Sequence, residues 1–153
     1  MSDPDATDLQ DIGGRLELSA PAEPEIVDLV HAMLEQLWAR YDDVAERDRT
    51  LFEMAVVEVL ANIVEHAYRL DLEHTDRQRR FEICVGVTDD ELVAAFADNG
   101  QPMEIDLSNA AMPDELAESG RGLALASAAL DDLSYDRSDG RNHWRLLCRR
   151  RPG

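Results

Sequence analysis

From about Glu46 to Leu70 the chain runs without a glycine or proline, and Phe52, Val56, Val59, Leu60, Ile63 and Ala67 recur at helical spacing. That pattern predicts one long amphipathic helix whose apolar stripe must be buried. With 153 residues, the chain is long enough for one compact domain and too short for two comfortable ones, so the stripe belongs to a single core. A second helix is predicted over about Glu25 to Tyr41. There Ile26, Val27, Leu29, Val30, Met33, Leu34, Leu37 and Trp38 repeat at the same spacing, after a Pro24 that suits a first helical position.

Around these helices the signals alternate. Gly13 to Leu18 reads as a first strand, and Phe81 to Val87 and Leu92 to Ala97 as two more, joined at Asp89 and Asp90. A third helix is expected from about Gly122 to Asp132. Two last strands, Leu133 to Arg137 and His143 to Arg149, meet at the turn Ser138-Asp139-Gly140. The segment Asp98 to Ser119 is rich in Pro, Gly and acids without periodicity, as a long functional loop would be. This order predicts an α/β (α+β) two-layer sandwich, a mixed β-sheet covered on one face by helices. Residues 1–12, with four Asp and no basic residue, read as a disordered acidic lead-in and not a secretory signal; the domain is expected over 13–150.

Charge narrows the function. The net charge of −18 repels phosphates, which argues against nucleic acid or an anionic membrane and suits a basic protein partner or divalent cations. All 15 basic residues are Arg, so a Walker-type P-loop and Schiff-base chemistry are excluded. No apolar run approaches the roughly 18 residues of a membrane helix. The two cysteines, Cys84 and Cys148, sit in strand-like contexts and make no disulfide framework, so a reduced, cytoplasmic protein is expected.

Three constellations carry chemistry. Glu58 and Asn62 lie at i and i+4 on the long helix, where Asn offers a neutral oxygen to Mg²⁺ and Glu can take a proton or orient water. Alone, such a pair is common on solvated helix faces. Asp98-Asn99-Gly100-Gln101-Pro102 follows a strand; an Asp there can accept a hydrogen bond from an exocyclic amine, and Gly100 lets a flat ring approach the backbone. As a lone signal, Asn-Gly is a plain turn. Ser119-Gly120-Arg121-Gly122-Leu123 opens the third helix, whose N–H groups and dipole favour an anion. Between Arg80 and Arg137 the only cation is Arg121, among thirteen acids, so a polyphosphate there needs Arg121, the helix end and Mg²⁺.

In this order, ExxxN on a long helix, DxGxP after a strand and GxG opening a helix resemble the three nucleotide-binding boxes of the histidine-kinase-like ATPase superfamily. The strings VVEVLANIVEHAY, ADNGQPMEI and SGRGLALASAALDDLSYDRSDGRNHWRLLCRR are similar to its anti-sigma-factor serine/threonine kinase branch, over about Leu16 to Arg149. The resemblance implies a Bergerat-type fold with an ATP lid loop, and ATP and Mg²⁺ as cofactors. It implies Glu58 as general base, Asn62 on the metal, and Asp98 on the adenine amine with Gly100 against the ring. It extends the nucleotide site to Pro102 and to Gly120, Arg121, Gly122 and Leu123 at the lid and helix end. It further implies an anti-anti-sigma protein as phosphoryl acceptor, a sigma factor held inactive, and a homodimer of the kind common in the family. A non-catalytic ATP-binding module that sequesters a partner stays open beside the kinase. So does an ATPase in which Glu58 activates water.

Overall fold

The computed structural model describes residues 9, 12–71, 79–100 and 118–151, with backbone alone at 66–71 and 118–122. Among the described residues, five strands and three helices follow one another as β1 (Leu16–Pro21), α1 (Ile26–Arg40), α2 (Glu46–Asp71), β2 (Arg80–Val87), β3 (Glu91–Asp98), α3 (Glu118–Ala129), β4 (Asp132–Ser138) and β5 (Arg141–Arg149). The strands form one sheet in the order β1-β2-β3-β5-β4. Every pairing is antiparallel, which corrects the mixed sheet expected above. The reason lies in the crossover. β3 and β4 do run in the same direction, linked through α3, but β4 turns back at once through Asp139 and Gly140 and inserts β5 between them. Asp139 and Gly140 have φ of 53° and 72°, the left-handed pair a tight two-residue hairpin requires.

Strand alternation divides the sheet into two faces. Leu16, Leu18 and Ala20, then Phe81, Ile83, Val85 and Val87, then Leu92, Ala94 and Phe96, then Trp144, Leu146 and Cys148 all join one core with the helices. α1 contributes Val30, Leu34, Leu37 and Trp38, and α2 contributes Phe52, Ala55, Val56, Val59, Leu60 and Ile63. Trp38 meets Phe52 edge to face at 6.1 Å, which knits the two helices together. On the other face, Leu9 and Ile12 are buried against Val93. They lie over Gly86, where an added Cβ would stand 2.9 Å from Ile12 Cδ1.

The first strand begins at Leu16, later than the expected Gly13. Gly13 and Gly14 form a turn instead, with Gly14 at φ +79°, and their carbonyls accept hydrogen bonds from Tyr41 Oη at 3.2 Å and Arg40 Nη1 at 2.8 Å. At the far end the chain is clasped. Arg150 reaches the Thr88 carbonyl at 2.7 Å and the Asp43 carboxylate at 3.1 Å, and the Arg151 amide donates to the buried Asp48 at 2.8 Å. Among the described residues no helix is long and apolar enough to cross a membrane.

Candidate functional site

The helix α2 carries Glu58 and Asn62 where its apolar stripe meets the rest of the domain. A plain solvated pair would leave both side chains in water, yet Asn62 is only 9% exposed. Its Nδ2 donates to the Glu58 carbonyl at 2.8 Å, so the donor end of the amide is spent on its own helix and the oxygen end keeps no hydrogen bond among the described residues. Glu58 is half-exposed and its carboxylate has no hydrogen bond or ion pair among the described residues. One neutral oxygen and one carboxylate are thus left available on one helix face. Among the described residues no three His, Cys, Asp or Glu side chains gather into a metal cluster. That donor set suits a divalent cation that arrives with oxygens of its own, as with a nucleotide, more than one the protein cages.

Asp98 ends β3 and is 3% exposed. Its Oδ1 accepts two donors, the Gly100 amide at 2.8 Å and Asn142 Nδ2 at 2.9 Å. Its Oδ2 is buried and has no hydrogen-bond partner among the described residues. A buried carboxylate oxygen left without a donor costs stability, which marks the position as one shaped for something other than folding. Beside it opens a shallow recess lined by Ala22, Ile63, Arg79 and Arg80 together with Asp98 to Gly100. Ile63 follows Asn62 in sequence, so the turn of α2 that bears the Asn62 amide borders the recess that holds this Asp98 oxygen.

The third constellation is placed by α3. The helix begins at Glu118, earlier than expected, and takes both glycines into its first five residues. Gly120 therefore keeps an N–H among the terminal ones that lack an intrahelical acceptor, while the N–H of Gly122 falls inside the ladder. Leu123 is 8% exposed and packs in the core, which pins this end of the helix beside the domain. The Arg121 side chain, Pro102 and the lid loop lie outside the described residues.

Sequence reasoning missed the residues that hold Asp98 in place. One row crosses the whole sheet: Ala20 pairs with Phe81, Phe81 with Asp98, Asp98 with Asn142, and Asn142 with Arg137. Asn142 is fully buried, and its Oδ1 accepts from Tyr135 Oη and from Arg137 Nη1, the latter at 3.1 Å. Arg137 Nη1 also donates to the Gly100 carbonyl at 2.7 Å, and Arg79 Nη1 to the Asn99 carbonyl at 3.0 Å. The count of a single cation between Arg80 and Arg137 is therefore corrected in space. The residues that bound that stretch, with Arg79, come back to flank the Asp98–Gly100 turn. A signal for Asn142 existed: it shares the phase of Trp144, Leu146 and Cys148 along β5, and a polar residue on a core-facing phase needs a reason to be there.

Neither thiol is poised for chemistry. Burial first, then the Asp48 and Asp131 carboxylates, push Cys148 up to about 11. Burial and then Glu17 also raise Cys84.

The histidine kinase-like ATPase domain profile matches residues 20–147 of this chain. The serine-protein kinase RsbW of Bacillus velezensis is 28% identical, over 82% of this chain and 79% of that protein. RsbW of Bacillus subtilis is 27% identical over the same shares. The crystal structure of the RsbU and RsbW domains of Rv1364c from Mycobacterium tuberculosis superposes with a TM-score of 0.63 at 20% identity, covering 91% of this chain. This chain spans 33% of that solved one.

Proposed function

The chain belongs to the histidine kinase-like ATPase domain family, and from that premise we propose that it is an ATP-dependent serine/threonine protein kinase of the anti-sigma type. On this reading it works in the cytoplasm, phosphorylates an anti-anti-sigma partner and sequesters a sigma factor. The observation that carries the nucleotide half is the buried Oδ2 of Asp98, unpartnered among the described residues, at the edge of the recess. An exocyclic amine of adenine supplies the donor that this oxygen lacks, and Gly100 admits the ring. The similarity to proteins named serine-protein kinase RsbW supports the kinase half.

Asn62 would present its Oδ1 to a Mg²⁺ carried on the phosphates, and that ion would neutralise charge there. Gly120, Arg121 and Gly122 would meet the phosphates at the start of α3, with Pro102 and Leu123 closing the lid side. Glu58 would take the proton of an acceptor Ser or Thr hydroxyl as its oxygen bonds the γ-phosphorus and the bond to the bridging oxygen breaks, leaving ADP. A carboxylate with no hydrogen bond or ion pair among the described residues is open to accept the hydrogen bond of that hydroxyl.

The test is transfer of label from radiolabelled ATP to a co-purified acceptor. Glu58→Gln keeps shape but cannot take the proton, so nucleotide affinity should hold while transfer falls about 10²- to 10⁴-fold. If the parent chain binds ATP and labels no partner, the sequestering module replaces the kinase. Transfer by Glu58→Gln at the parent rate would end the base assignment.

A further inference from the structure

Hydrogen-bond polarity runs in one direction along the row Arg137, Asn142, Asp98. A guanidinium has donors and no acceptor and stays charged at any accessible pH. Arg137 Nη1 lies 3.1 Å from one end of the Asn142 amide, so that end must be the oxygen. The other end is then the NH₂ group, and it donates to Asp98 Oδ1 at 2.9 Å. The same Arg137 nitrogen holds the Gly100 carbonyl at 2.7 Å, and the Gly100 amide gives Asp98 Oδ1 its second donor at 2.8 Å. Tyr135 Oη donates to the same Asn142 oxygen, but a phenol can also accept, so Tyr135 follows the polarity and does not set it.

We propose that Arg137, acting through Asn142, fixes Asp98 as a pure acceptor and so makes this pocket select a 6-amino purine over a 6-keto purine. The inference rests on the reading of Asp98 as the contact to the base and adds how its polarity is held. Two donors fixed on Oδ1, both traced to Arg137, hold the Asp98 side chain by that oxygen and leave Oδ2 as the acceptor presented to the base. Asn142 is fully buried, and Arg137 and Tyr135 are half-buried, so the amide has no water to turn toward. Arg137 and Asn142 are positioning residues and touch no substrate.

ATP and ITP differ at the 6-position, an amine against a keto oxygen, and at N1, which carries a proton only in ITP, so the ratio of their dissociation constants reads which edge polarity the pocket accepts. Calorimetry on the full chain should give a parent preference for ATP of about tenfold or more. Arg137→Met should reduce that preference to about threefold or less, because Tyr135 Oη can then accept and the amide can turn over. Arg137→Lys, another obligate donor, should keep it, and Tyr135→Phe should keep it too. If Arg137→Met does not fold, Arg137→Gln serves, since its amide can present either end and should lower the ratio likewise. Arg137→Met or Arg137→Gln with the parent ratio overturns the relay and leaves the Asp98 reading standing. A parent chain that binds ITP as tightly as ATP overturns the Asp98 reading itself.

Discussion

Asp98→Asn replaces a single oxygen by NH₂ and tests the site at its centre. With its oxygen at the present Oδ1 position, the new amide keeps both existing donors, Gly100 N–H and Asn142 Nδ2. Its NH₂ then lies where Oδ2 was, and it faces the adenine amine donor to donor. Turned over, it would lose both internal bonds, so the first orientation prevails. The loss is one hydrogen bond to a charged group, about 1.5–3 kcal/mol, or about 10- to 150-fold in affinity. The base is common to ATP and ADP, so calorimetry should find the same loss for both. ITP, whose keto oxygen accepts, should bind the variant at least as well as the parent. Folding should move the other way. Oδ2 is a buried carboxylate oxygen with no hydrogen-bond partner among the described residues, and replacing it leaves the melting temperature of the unliganded protein unchanged or higher. ADP affinity within about twofold of the parent would refute the assignment. A fall of several degrees in the unliganded melting temperature would make Asp98 a structural residue.

Asn62→Ala should weaken Mg-ATP binding while leaving ADP in EDTA unchanged, because on the proposed reading its Oδ1 would serve the metal and not the base; equal losses in both titrations would place Asn62 elsewhere in the site. Cys148, raised from the ordinary 9.0 to about 11, holds in the fold a proton that the unfolded chain releases earlier. Its contribution is complete below about pH 9 and lost as the pH climbs to about 11, so Cys148→Val should lose less stability than the parent across that window in urea melts. Gly14→Ala forces a side chain into φ +79° with its Cβ 2.5 Å from Tyr41 Oη, and chemical denaturation should show a loss of about 1–3 kcal/mol.

What the chain discloses in its letters follows the physics of range. The long helix is legible because an apolar period sustained without Gly or Pro admits no other element, and the structure describes it over Glu46–Asp71. The start of α3 is less so: Glu118 and Ser119 carry no apolar period, so nothing in the local pattern places them in the helix that takes them in. The antiparallel sheet is hidden for a stronger reason, since the direction of each neighbour depends on where β5 inserts, and no local pattern encodes an insertion. The site divides along the same line. Asp98, Asn62 and Glu58 stand in short motifs whose chemistry is local. Asn142 and Arg137 act on Asp98 from 44 and 39 positions away in sequence, as the hydrogen bonds of Asn142 and Gly100 show. Reading charge along the chain makes Arg121 a lone cation in an acidic stretch. Reading it along the sheet row puts Arg137 and Arg79 against the Asp98–Gly100 turn, where they hold backbone carbonyls. On the proposed reading, a guanidinium engaged that way shapes the pocket that would meet the base, and the phosphates at the other end of the nucleotide would depend on Asn62, a metal held there and the start of α3.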